Sequence, residues 1–184
     1  MPRVTNYFRI NFDQAELDFI DIDTDYDARF YIDPYALELR DDQWCVACTT
    51  KVQTFFSALL NALRDRDSSR TEHLISHLTE PRETFLGVSS GKPQGRGLGW
   101  QQSHQLAHAL RNSRAFQSGL LSDLAEAELF IPGIGPDKIS DLTTNIIRGS
   151  LIEYTAAQCA LVGITSREAR DRPMIICFAP CSTN

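Results

Sequence analysis

Between residues 131 and 141 the chain reads Ile-Pro-Gly-Ile-Gly-Pro-Asp-Lys-Ile-Ser-Asp, and no other stretch limits the fold as sharply. Two prolines and two glycines fall within the five residues from Pro132 to Pro136, a composition that punctuates regular structure. Pro136 suits the first turn of a new helix, because its missing N–H would have been unpaired there anyway. Gly133 and Gly135 permit backbone angles and close approaches that side chains forbid. Residues 136–161 then read as one long helix, and "LLSDLAEAELF" (120–130) reads as a helix leading into the reversal. A helix, a corner and a longer helix are therefore expected here.

Upstream, periodicity predicts a helix from Thr50 to about Arg66, since Val52, Phe55, Phe56, Leu59, Leu60 and Leu63 share one face. Thr49 or Thr50 is the expected cap of its first turn. A shorter helix follows near 70–79, and "WQQSHQLAHALRNS" predicts another, with Trp100, Ser103, Ala107 and Leu110 toward its inner side. The N-terminal part reads differently. Phe19, Ile20 and Ile22 alternate loosely with Asp21 and Asp23, and Phe30, Tyr31 and Ile32 form a compact run ending at Asp33-Pro34. With "DTDYD" as the turn, the two runs predict a β-hairpin. "RPMIICFAP" (172–180) reads as a terminal strand stopped by Pro180. The expected fold class is α+β, helix-dominated, with a small N-terminal β-hairpin or sheet and a long C-terminal helix. A length of 184 residues fits a single domain over 1–184, with a β part at 1–48, a helical part at 49–171 and a strand or tail at 172–184.

The segment 122–147 resembles the helix-hairpin-helix DNA-binding motif, whose hairpin core reads roughly Pro-Gly-Ile-Gly-Pro. "SDLAEAELF" and "DKISDLTTNII" stand where its two helices stand. The resemblance implies that Gly133, Ile134, Gly135 and Lys138 contact a phosphate backbone without reading bases. N–H groups left unpaired at a helix start, aided by the helix dipole, seat phosphate in just this way.

Asp137 and Asp141 stand where that family favours neutral or basic residues, and they invite a second reading. On a helical wheel Asp137, Asp141, Thr144 and Arg148 form one stripe, opposite Ile139, Leu142, Ile146 and Leu161. Asp137 and Asp141, joined by Asp33, can supply the oxygen ligands Mg²⁺ prefers. Lys92 or Arg148 can then stabilise a phosphodiester transition state, so the candidate chemistry is metal-dependent phosphodiester hydrolysis, with Asp33, Asp137, Asp141, Arg148 and Lys92 in catalytic roles. The bland alternative is a solvated helix face with a dipole benefit for Asp137.

The glycine-rich loop "LGVSSGKPQGRGLG" (86–99) holds two bases and no acids, which makes Gly91, Lys92 and Arg96 the expected local anion contact. It is neither a Walker loop nor a dinucleotide turn, since Pro93 follows Lys92 and no strand–helix setting surrounds it. The histidines fall in two pairs at helical spacing, His73 with His77 and His104 with His108, and both read as surface residues. "WCVAC" (44–48) looks like a thioredoxin-type Trp-Cys-x-x-Cys but lacks a buried strand before it. A zinc set of Cys45, Cys48, Cys177 and Cys181 needs the two chain ends to meet, so Zn²⁺ is not the expected ion.

Charge bounds the partners. A formal net charge of −6 counts against gripping nucleic acid by bulk charge, so any contact is local or lent by a partner protein. No secretory signal opens the chain, and no apolar run approaches the roughly 18–20 residues that cross a bilayer. The expectation is a cytoplasmic protein with no membrane partner, associated with nucleic acid and a protein partner. The competing expectation is a non-enzymatic interaction subunit of a larger assembly.

Overall fold

The computed structural model describes residues 3–22, 30–78 and 100–164; for 100–103, Glu128 and Phe130 only the backbone is described. The helices in chain order are α1 (Val4–Phe8), α2 (Pro34–Glu38), α3 (Gln43–Arg64), α4 (Ser68–Ser76), α5 (Trp100–Asn112), α6 (Arg114–Gln117), α7 (Leu124–Phe130) and α8 (Pro136–Leu161), with a 3-10 turn at Gln14–Glu16. The described residues contain no β-strand, so the expected α+β class and its N-terminal hairpin are overturned in favour of an architecture of helices alone. The predicted strand at 172–180 and the turn residues 23–29 lie outside the described residues.

Two compact units emerge, the first from Met1–Phe30, Pro81–Gly95 and Gly149–Asn184, the second from Tyr31–Glu80 and Arg96–Arg148.

The second unit is organised by α3, which packs on α2, α4 and α7. Its buried face carries Val52, Phe56, Leu59, Leu60 and Leu63, at about 1.5–3 kcal/mol for each fully buried large side chain. The helix begins well before Thr50. Asp42 caps it by accepting the Cys45 N–H at 2.9 Å, and the Thr50 hydroxyl donates back to the Val46 carbonyl instead of capping anything. Periodicity alone missed this first stretch, because Gln43, Val46 and Ala47 are exposed there while Cys45 and Cys48 are buried. Also buried are Ile75 of α4, Leu106, Ala107 and Leu110 of α5, Phe116 of α6, and Leu124 and Ala127 of α7; α5 packs on α4 and α6. The Arg64 guanidinium sits 5.7 Å from the Phe116 ring centre, a cation–π placement.

The first unit shows why no hairpin forms. The Asp21 carboxylate turns inward and accepts the Thr5 N–H at 2.9 Å and the Thr5 hydroxyl at 2.7 Å. It thus caps α1, whose own N-cap residue, Arg3, makes no side-chain cap. The backbone groups a strand would have used are already paired: the Gln14 side chain donates to the Phe19 carbonyl and accepts the Asp21 N–H, both at 2.8 Å. Phe19, Asp21 and Ile22 are all buried, which breaks the alternation that predicted a strand. The second expected strand fails as well. Phe30 and Tyr31 are exposed, and the Ile32 N–H is taken by a serine hydroxyl. Leu151, Thr155 and Gln158 from the later part of α8 are buried in this unit's share of the chain, and the Tyr154 hydroxyl donates to the Asp18 carbonyl at 2.9 Å.

Candidate functional site at the start of the long helix

The corner at 131–135 is held from below. Ile131 and Ile134 are buried, while Pro132 and Gly133 face outward. The Ile134 N–H closes the turn on the Ile131 carbonyl at 3.2 Å, and Gly133 adopts φ +85°, a conformation side chains resist. Gly135 is different. Its φ is not in the left-handed range, and a Cβ added there would meet nothing within 4 Å, so neither the turn nor the packing demands glycine. What glycine does is withhold an N-cap side chain from α8. By contrast α2, α3, α4, α6 and α7 each begin on an Asp or Ser whose side chain accepts a backbone N–H. Gly135, the residue before Pro136, thus offers no side chain to cap α8, the longest of the described helices. Lys138 folds back over the corner and donates to the Gly133 carbonyl at 2.7 Å, which keeps its ammonium beside the exposed backbone.

The expected polar stripe descends into the protein. Asp137 is exposed, Asp141 half-buried, Thr144 buried at 3% exposure and Arg148 half-buried. Ile139 and Leu142 on the opposite side are buried as expected, whereas Ile146 is only half-buried and Leu161 is exposed; Ile147 takes the fully buried place. Along α8 the buried threonines behave in two ways. The Thr143 hydroxyl donates to the Ile139 carbonyl at 2.8 Å and Thr155 does the same to Leu151 at 2.7 Å. The Thr144 Oγ1 has no partner among the described residues. A buried hydroxyl left unpaired costs about 1–3 kcal/mol, and in native proteins such groups concentrate where a ligand or water completes them.

Two remote segments reach this part of α8. The Ile32 N–H donates to Ser140 Oγ at 2.9 Å across 108 residues of sequence, which sets Asp33 one residue from the helix that carries Asp137 and Asp141. The Asn145 amide bridges the Asp141 carbonyl at 3.0 Å and the Leu78 carbonyl at 3.4 Å, so α4 ends against the same helix. Neither Ser140 nor Asn145 stood out in the sequence. Their only signal is a polar residue beside the apolar positions Ile139 and Ile146. Asp33 also caps α2 through the Tyr35 N–H at 2.9 Å, which leaves its second oxygen for other work. Among the described residues no group of three or more His, Cys, Asp or Glu is gathered closely enough to hold a metal ion, so Asp33, Asp137 and Asp141 share a neighbourhood without forming a closed ligand set. Gly91, Lys92 and Arg96 lie outside the described residues.

The remaining candidates separate cleanly. Cys45 and Cys48 sit inside α3, fully buried, and burial pushes the Cys45 thiol up to about 12, opposite to the activated thiolate of a redox motif. Cys177 and Cys181, the other half of the zinc set, lie outside the described residues. His73 and His77 stack edge to face with ring centres 4.8 Å apart on the exposed side of α4. His104 meets Glu72 at 3.1 Å, which ties α5 to α4, and exposed His108 meets the Asn112 amide. No helix among the described residues is long and apolar enough to cross a membrane.

Residues 9–175 match a family model described as a domain of unknown function, DUF8370, and the chain belongs to that family. No curated protein and no solved structure matches it.

Proposed function

We propose that this member of the DUF8370 family is a cytoplasmic, nucleic-acid-associated protein that takes a phosphate backbone at the start of α8. The observation that carries the reading is the Ile32–Ser140 hydrogen bond, which draws Asp33 toward the helix end bearing Asp137, Lys138 and Asp141. Three features support it. α8 follows a glycine that has no side chain to cap it, Lys138 donates to the Gly133 carbonyl, and the stripe leading inward passes a buried hydroxyl with no partner among the described residues. Carboxylates near phosphate need a cation between them, so Mg²⁺ would be held by oxygen atoms of Asp137 and Asp141, with Asp33 completing the set as ligand and metal arrive together. Arg148, further down the stripe, would then face charge that develops on a phosphodiester, and hydrolysis is the reaction class this arrangement suits. Lys92 with Gly91 and Arg96 would supply the basic loop.

The test is calorimetric titration of the full chain with Mg²⁺ and Mn²⁺, wild type against Asp137→Asn/Asp141→Asn and against Asp33→Asn. Asparagine still caps α2, which keeps the third variant folded. Oligonucleotide binding in the presence of Mg²⁺ follows across a salt series. The expected result is metal binding lost in the double variant and oligonucleotide affinity that falls steeply with salt. Absence of oligonucleotide binding at low salt with Mg²⁺ present would overturn the proposal.

A further inference from the structure

A different surface of the second unit carries an inference that is independent of the phosphate site. Helix α2 is short and lies on α3 and α7, burying Pro34 and Leu37. Its other side is apolar where a solvated helix would be polar. Tyr35 is 55% exposed and Leu39 69% exposed, and the Leu39 N–H donating to the Tyr35 carbonyl puts the two on one face. Tyr31, just before the helix, is 49% exposed, and Val46, one turn into α3, is also 49% exposed. Leu129 on α7, which packs on α2, is exposed as well. Single exposed apolar residues are ordinary, but two tyrosines, a leucine and a valine concentrated within sixteen consecutive residues are not. Tyrosine in particular binds partners with a large face and little entropy to lose.

The charges in this stretch are mostly acidic. Between Tyr31 and Val46, apart from Asp33 of the α8 site, stand Glu38, Asp41 and Asp42 against a single Arg40. That arginine is committed to Asp42 at 3.0 Å, which leaves Glu38 and Asp41 as exposed carboxylates flanking Leu39. An apolar ridge with an acidic rim complements a segment that is apolar on one side and rich in lysine or arginine on the other. We infer that the α2 ridge docks a basic amphipathic segment of a partner protein, with Tyr35 and Leu39 as anchors and Glu38 and Asp41 setting the sign of the charge.

The test uses the full chain and fluorescent 18-residue helical peptides as probes (on the order of five turns, enough to cover the ridge). One peptide carries leucine on one face and lysine on the other, a second replaces every lysine by glutamate, and a third replaces every leucine by serine. Anisotropy titrations are run at low and moderate salt with wild type, Tyr35→Ser/Leu39→Ser and Glu38→Lys/Asp41→Lys, each variant checked for an unchanged unfolding midpoint. The expected result is roughly tenfold or tighter binding of the leucine–lysine peptide over both others. The anchor variant should lose that binding by a similar factor, and the rim variant should lose both affinity and salt dependence. Binding that ignores the peptide's charge, or that survives in the anchor variant, would overturn the inference. So would sedimentation showing a homodimer that the anchor variant breaks, since the ridge would then be occupied by a second copy. None of these readouts involves the α8 site, so this inference and the phosphate proposal stand or fall separately.

Discussion

Replacing Thr144 by valine should make the protein more stable, and replacing its neighbour Thr143 by valine should not. Both residues lie in α8 and both are buried, at 3% and 0% exposure. Valine and threonine are both β-branched with similar helix propensity, so the backbone contribution nearly cancels in each case. The difference lies in the hydroxyl. Thr143 donates to the Ile139 carbonyl, and its loss should cost up to about 1 kcal/mol, softened by the methyl that replaces it. Thr144 Oγ1 has no partner among the described residues, so its removal relieves a desolvation penalty of about 1–3 kcal/mol and adds apolar contact. The net expectation for Thr144→Val is a gain of about 1–2 kcal/mol, or about 2–4 °C in Tm per kcal/mol for a chain of this size. Urea unfolding of the full chain, with m held equal, measures both variants directly. If Thr144→Val is destabilising to the same degree as Thr143→Val, its hydroxyl is paired inside the protein and the argument for a ligand-completed stripe loses its second leg. A gain in stability together with weakened Mg²⁺-dependent oligonucleotide binding is the signature of a group kept for function.

Gly149, exposed in the interior of α8 with open space where a Cβ would go, should accept alanine with a gain of about 0.5–1 kcal/mol, whereas Gly133→Ala at φ +85° should lose about 1–2 kcal/mol; thermal unfolding of the two variants checks the contrast. Asp42 is held down to about 2, from an ordinary 3.8, mainly by the Cys45 N–H that it accepts. A lowered acid contributes stability above its unfolded value and loses it as pH falls through the folded one. Asp42→Ala removes a helix cap, which should cost about 1 kcal/mol at pH 6. That is less than the shift alone implies, because the carboxylate is part-exposed and screened. The gap should close between about pH 4 and pH 2 in urea midpoints. Cys45, with its thiol pushed up to about 12, should resist a thiol-reactive disulfide at pH 8 in the folded chain and react promptly in urea; fast native labelling, located by mass spectrometry, would contradict its burial.

The long helix was readable from its ends. Pro136 opens α8 and the apolar period carries it to Leu161, because these are local signals that burial later reinforces. The corner was equally readable from its prolines and glycines, but the burial of Ile134, expected as a phosphate contact, was not. What could not be read was every feature set by a distant partner. Alternation in Phe19–Ile22 argued for a strand, yet the outcome depended on Gln14 and Thr5 claiming the polar groups of that segment. At the site, Asp137, Asp141, Thr144 and Arg148 were legible as a stripe because helical geometry alone aligns them. The approach of Asp33 through Ile32 and Ser140 was proposed on residue type and could not have been derived from spacing, since tertiary hydrogen bonds leave no period in the sequence. The cap of α3 sits between these cases: Asp42 is a good N-cap residue, but the apolar period placed the helix start at Thr50, with Thr49 or Thr50 as the cap.

The boundary between the two compact units falls inside α8, between Arg148 and Gly149, and not in a linker. Helix propagation is cooperative, so melting one half of a continuous helix exposes a frayed end in the other. Neither unit can be expressed as one continuous segment, because each is assembled from separate stretches of the chain. The same continuity makes the junction a natural reporter. Amide exchange across residues 145–153 should decay as one step if the chain opens as a whole, and should break at Gly149 if either unit opens alone.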